Sequence, residues 1–247
     1  MKKGTVAFLF LLALLMSSCV GPKGDLGDQG PVGPAGPEQP GIYYVRIFQQ
    51  GVYSSAYTGQ VQAVLSSNYG STYYDNQNDI IEIGRKVVTS FYRSIIKFDL
   101  STLPTSKIVV DKAELYLWTN SVTEGGGAVD VGVYRETASW TVNYAGFDIP
   151  NPSSGWPAGY IGGLEYVLPL TPVKANAGYF NFPADSKVTI ELEPSLVEDW
   201  MMNPSTNYGV ILVANDEDNA NYSQIYSSGA TDTAKRPMLK IWYYTTE

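Results

Sequence analysis

The chain has 247 residues, with 24 Asp and Glu against 16 Lys and Arg, a formal charge of −8 and no histidine. Acidity without a basic run disfavours nucleic acid as a partner, and the missing imidazoles remove His-dependent triads, His general bases and most catalytic zinc sites. Cys19 is the one cysteine, so the body has neither thiol catalysis nor an intrachain disulfide.

In chain order, residues 1–18 read as a signal peptide. Lys2 and Lys3 form its basic start, Thr5 to Met16 its apolar stretch, and Ser17-Ser18-Cys19 its small-residue end. The apolar stretch is short for a membrane span. A lone cysteine after two small residues resembles the bacterial lipoprotein signal, with Met16 standing where Leu is usual. That resemblance implies that Cys19 is lipidated and becomes the mature N-terminus; an ordinary secretory signal is the alternative. Val20, rather than Asp, follows the cysteine, which points to the outer membrane or cell surface of the envelope.

Residues 19–40 form an extended linker. Within it, residues 21–38 are six uninterrupted Gly-X-Y triplets, GPK GDL GDQ GPV GPA GPE. Glycine at every third position is what three crowded polyproline-type chains need at a common axis. Two uses are open: a monomeric spacer of roughly 55 Å, or a short stalk that makes the protein a homotrimer.

From residue 41 to 247 the pattern changes to short apolar runs separated by turn residues. Strands are expected at Ile42–Phe48, Gln60–Leu65, Ile80–Ile83, Phe91–Phe98, Ile108–Thr119, Val129–Arg135, Lys187–Glu193, Tyr208–Ala214, Tyr222–Tyr226 and Met238–Tyr244. Ala113, Leu115 and Leu117 fall on one face of a period-two pattern, as do Val129, Val131 and Val133. Abundant Tyr, Thr and Val with only 16% charged residues favours sheet. About ten punctuated strands predict an all-β, jelly-roll-like β-sandwich. One short helix is expected, opened by a capping box at Ser195-Leu196-Val197-Glu198 and burying Leu196, Val197, Trp200 and Met201.

The run Arg93-Ser94-Ile95-Ile96-Lys97-Phe98-Asp99-Leu100-Ser101-Thr102-Leu103-Pro104 resembles the core of the disaggregatase-related (DNRLRE) domain. Ser67 to Ser71, Ala113 to Leu117, Trp140-Thr141, Asn207-Tyr208-Gly209-Val210 and Arg236-Pro237-Met238-Leu239 follow that family's order over about residues 52–245, with Val142 where it has Glu. The resemblance implies a β-sandwich in a secreted or surface protein. Some members of the family bind acidic polysaccharides such as alginate.

Candidate sites follow from chemistry. Residues 143–166 form a long Gly- and Pro-rich insertion carrying Tyr144, Phe147, Trp156 and Tyr160. Such rings either stack on sugar C–H faces or fold back over a sheet. Arg93 either bonds across the sheet or meets an anionic ligand, while Trp118, Trp140, Trp200 and Trp242 read as packing aromatics. Two acidic loops, one with Asp75 and Asp79 and the other with Asp216 and Asp218, offer oxygens for a structural calcium ion; solvated hairpins are the alternative. Carboxylate pairs are the enzyme chemistry that a histidine-free chain most easily retains, and Glu165 is the acid to screen. The expectation is a lipid-anchored envelope protein with a non-catalytic, carbohydrate-binding head. The alternatives are a structural or adhesive surface protein and, less favoured, a polysaccharide-degrading enzyme.

Overall fold

A computed structural model describes residues 42–52, 57–68, 79–87, 90–124, 128–158, 160–161, 164–165, 180–218 and 221–246. The chain divides into two units, Met1–Gln39 and Pro40–Glu247, and every described residue lies in the second. Cys19, the Gly-X-Y triplets and Asp75 lie outside the described residues, as do the side chains of Tyr160 and Glu165.

The fold is all-β and sandwich-like, with antiparallel pairing between its strands. The strands are β1 (Tyr43–Gln49), β2 (Gln60–Ser66), β3 (Ile80–Val87), β4 (Ser90–Phe98), β5 (Ile108–Glu124), β6 (Val129–Arg135), β7 (Tyr160–Ile161), β8 (Leu164–Glu165), β9 (Phe180–Phe182), β10 (Lys187–Leu192), β11 (Val210–Ala214), β12 (Asn221–Tyr226) and β13 (Met238–Thr245). One sheet runs β1-β13-β5-β10. The other runs β12-β3-β4-β11-β6-β9, with β2 also paired to β4. β5 joins them: Ala113 to Trp118 pairs with β10, whereas Thr119 to Glu124 pairs with β12. This continuation explains why β5 runs five residues beyond the expected Thr119.

The main core lies under the alternating inward positions. Leu239, Ile241 and Tyr243 of β13, Ala113, Leu115 and Leu117 of β5, and Val188, Ile190 and Leu192 of β10 are all buried. Strands β2, β4 and β11 behave differently. Ala63, Leu65, Ile95, Ile211 and Val213 on their other face form a second core with Ala145. Strands buried on both faces read as continuous apolar runs rather than alternation, as Val210–Ala214 does.

The helix α1 (Pro194–Met202) buries the four expected residues Leu196, Val197, Trp200 and Met201. Its start differs from the capping box: Glu193 is the cap and Pro194 opens the first turn. Proline has no N–H to satisfy there and its φ is already helical. Glu198 instead accepts a hydrogen bond from the Val110 backbone N–H at 2.7 Å, pinning the helix to β5. Strand β11 begins at Val210 instead of Tyr208, because Gly209 has φ +86° and cannot extend it. β9 went unpredicted because three residues are too few to display a period.

Candidate functional site

Residues 136–158 cover the second core. The Glu136 N–H donates to the Gly209 carbonyl at 3.0 Å, and Thr141 N–H to Pro150 at 2.8 Å. The Trp140 indole donates to Tyr208 O at 2.8 Å and the Trp156 indole to Gly146 O at 3.1 Å. Tyr134, Trp140, Phe147 and Trp156 pack, half-buried, on the second core. Phe147 meets Phe91 edge-on, with ring centroids 5.1 Å apart. The segment therefore folds back over the sheet, and Trp156 and Phe147 face protein on at least one side. Tyr144 stands apart from them, exposed. Among the other tryptophans, Trp200 is buried. Trp242 lies under the ammonium groups of Lys240 at 4.4 Å and Lys112 at 5.2 Å, and Tyr116 under that of Lys187 at 4.8 Å. Partial burial, followed by its hydrogen bond to Glu114, pushes the Tyr116 phenol up to about 12.

The acidic loop around Asp216 is internally balanced. Arg93 is 1% exposed and forks onto Glu217, Nε to Oε1 at 2.8 Å and Nη2 to Oε2 at 2.7 Å. Arg85 Nη1 donates to the carbonyls of Glu217 and Asp218 at 2.9 and 2.8 Å. Asp216 Oδ1 accepts from the Asp218 N–H at 3.0 Å, closing a local turn. In the other loop, Asp79 Oδ1 accepts from the Thr231 N–H at 3.0 Å and its hydroxyl at 3.2 Å. No cluster of three His, Cys, Asp or Glu able to hold a metal ion occurs among the described residues. In these loops guanidinium groups and main-chain N–H donors engage several of the carboxylate and carbonyl oxygens.

A different place stands out for ligand chemistry. A cleft of about 280 Å³ lies along β2, lined by Gln50, Gln60, Gln62, Asn143 and Ser228 with Val61, Val142 and Gly229. That volume is near the lower end for small-molecule sites. Among the described residues β2 pairs only with β4, so it is an edge strand. The Gln60 backbone N–H donates to Gln50 Oε1 at 3.3 Å, and Gln62 Oε1 accepts from the Ser228 N–H at 3.0 Å. Arg236 donates to the Gln50 carbonyl at 2.9 Å and steadies that wall. Gln60 itself is 3% exposed, and neither its amide nitrogen nor its amide oxygen has a partner among the described residues. Both amide atoms are closed off from the surface, so polar groups for a ligand must come from the rest of the lining. Among the described residues no charged side chain is in the lining. Asn143, at φ +68°, enters from the covering loop, and the exposed Tyr144 follows it in the chain.

Of the expected ligand residues, the structure thus puts Tyr144 beside a cleft-lining residue and packs Phe147 and Trp156 on the second core. Sequence reasoning missed Gln60 and Gln62, because glutamine at alternate positions of a strand reads as its solvated face. No protein-family model and no curated protein matches the chain.

Proposed function

We propose that the protein is a cell-envelope lipoprotein, held by a lipid on Cys19, whose β-sandwich head binds carbohydrate without turning it over. The signal-peptide pattern and the DNRLRE resemblance support the setting. The observation that carries the binding reading is the uncharged polar cleft along β2, walled by Gln50, Gln62, Asn143 and Ser228 with the exposed Tyr144 beside it. An amide supplies two donors and an acceptor, matched to the neighbouring hydroxyls of a sugar, each of which both donates and accepts. An exposed ring such as Tyr144 gives the C–H face of a sugar a surface to stack on.

The test pairs binding with a check on the fold. On a glycan array and by calorimetry, Asn143→Gly, which keeps the left-handed backbone of that position and removes its amide, is expected to lose at least ten-fold in affinity. Its near-ultraviolet circular dichroism should match the wild type, because glycine takes that backbone without steric cost. Tyr144→Ala should weaken binding about three- to ten-fold, in keeping with about 0.5–1.5 kcal/mol for a ring contact. Saturable binding to a protein and to no glycan would move the head to the adhesive class. Reducing-end release that depends on Glu165 would make it an enzyme.

Anchoring has its own expected result. Cells fed an alkyne fatty acid should label the wild type, and Cys19→Ala should lose both the label and the membrane fraction. A Cys19→Ala protein that stays labelled and membrane-bound would end the lipoprotein reading.

A further inference from the structure

We infer that the corner of the β1-β13-β5-β10 sheet at the start of β1 is a contact surface between copies of this chain. Among the described residues, four exposed large apolar side chains gather there: Ile42 at 65% exposure, Tyr43 at 45%, Val45 at 42% and Val109 at 44%. The register places Tyr43, Val45 and Val109 on one face, and Ile42 precedes Tyr43 in the chain. Tyr43 sits opposite Tyr244, which sits opposite Val109, and Val45 sits opposite Trp242. The rings of Tyr43 and Tyr244 are 4.7 Å apart. The patch lies on an edge, since β1 pairs only with β13 among the described residues. Exposed apolar side chains gathered on one edge, here rimmed by Lys112, Lys240 and Asp111, are a feature of interaction sites.

The sequence says what covers it. The last Gly-X-Y triplet ends at Glu38 and the patch begins at Ile42. Four residue steps reach at most about 14 Å. Three chains wound on the glycine period would therefore deliver three heads into mutual reach at their β1 ends. Only Pro22, Pro31, Pro34 and Pro37 pre-set the polyproline angle in the run, so so short a stalk is weak alone and gains from contacts between heads. A closed three-fold ring can use different sides of the patch on adjacent heads, the β1 side of one meeting the Val109 side of the next. Shared anchoring in one membrane raises the effective concentration further. The choice of occupant draws on the glycine period and on the lipid anchor proposed above, and the inference is independent of carbohydrate binding.

The experiment uses the full chain on intact membranes, where acylation of Cys19 leaves an introduced cysteine as the one free thiol. With a short bis-maleimide, Val45→Cys and Tyr43→Cys should each give dimers and trimers of this chain. Asp148→Cys, exposed on the covering loop of the other sheet, should remain monomeric. With Tyr43→Cys as the reporter, Val45→Asp should reduce the cross-linked product at least ten-fold while near-ultraviolet circular dichroism shows a folded head. The inference fails if Val45→Cys gives no product or joins only to another protein. It also fails if Asp148→Cys cross-links equally, or if Val45→Asp leaves the product unchanged. Gly30→Ala separates the two premises: a product that survives Gly30→Ala but not Val45→Asp keeps the surface and removes the triple helix.

Discussion

Arg93→Met should lower the stability of the head by about 3–5 kcal/mol, the usual loss when one partner of a buried ion pair is removed. The Arg93 side chain is 1% exposed and that of Glu217 is 19% exposed, so the stranded carboxylate would keep only part of its hydration. More than charge is lost. The guanidinium carbon lies 5.5 Å from the Phe91 ring centroid and 5.7 Å from that of Phe147. One side chain thus ties β4 to the loop between β11 and β12 and to the segment covering the second core. In urea the midpoint should fall with the slope unchanged. Glu217→Gln should cost less, because it keeps the shape and removes the charge. Lysine cannot replace the two-pronged contact, so Arg93→Lys should sit near Arg93→Met. A loss below about 1 kcal/mol for Arg93→Met would place the pair among weak surface bridges and refute this account.

The same arginine shows where sequence reasoning stops. Arg93 can be read either as a structural hydrogen-bonding group or as a ligand for an anion, and nothing local decides between them. Its partner is 124 residues away, and only the folded topology brings the two together. Elements with one buried face were legible: β6 matches its expected bounds, and β10 and β13 fall within a residue of theirs. In β10 and β13 each buried residue alternates with a more exposed one, and in β6 Val129, Val131 and Val133 keep the period although Gly132 between them is also buried. The period is masked in β11, because the segment 136–158 buries that strand's second face. The aromatics of that segment looked like ligand platforms for the same reason: a covering loop and a binding loop use the same Gly, Pro and aromatic composition. The Gln60 amide could not be found in advance, since burial makes it unusual and burial is a tertiary property.

Gly209→Ala is the second large expected effect, and it tests the junction on which both the sandwich and the covering segment depend. Gly209 has φ +86°, and a Cβ there would stand 2.1 Å from the Ile96 carbonyl oxygen and 2.9 Å from its carbon. These are backbone atoms of the paired strand, in register with Val210, so no side-chain rotation relieves the overlap. Both polar groups of the glycine are already used: its N–H donates to Asn207 Oδ1 at 3.1 Å, and its carbonyl accepts from Glu136 N–H at 3.0 Å. Asn207, buried, also donates to the Phe98 carbonyl at 2.9 Å. A methyl group must therefore drive β11 from β4 or turn the peptide and break the Glu136 contact. Left-handed backbone costs an alanine about 1–2 kcal/mol and overpacking about 1–3 kcal/mol, so the expected loss is about 2–5 kcal/mol. At ~2–4 °C per kcal/mol for a domain of this size, calorimetry should show a fall on the order of 10 °C. Gly155→Ala is the matched control, since its added Cβ meets only Asp148 O at an ordinary 3.7 Å, and its melting point should stay within about 1 °C of the wild type, as for a typical surface change. Because Glu136 opens the segment that carries Asn143 to the cleft, Gly209→Ala should weaken glycan binding as well, below its own melting transition. A Gly209→Ala head as stable as wild type would mean that β11 can re-register on β4, and the left-handed glycine would then have no part in fixing the cleft.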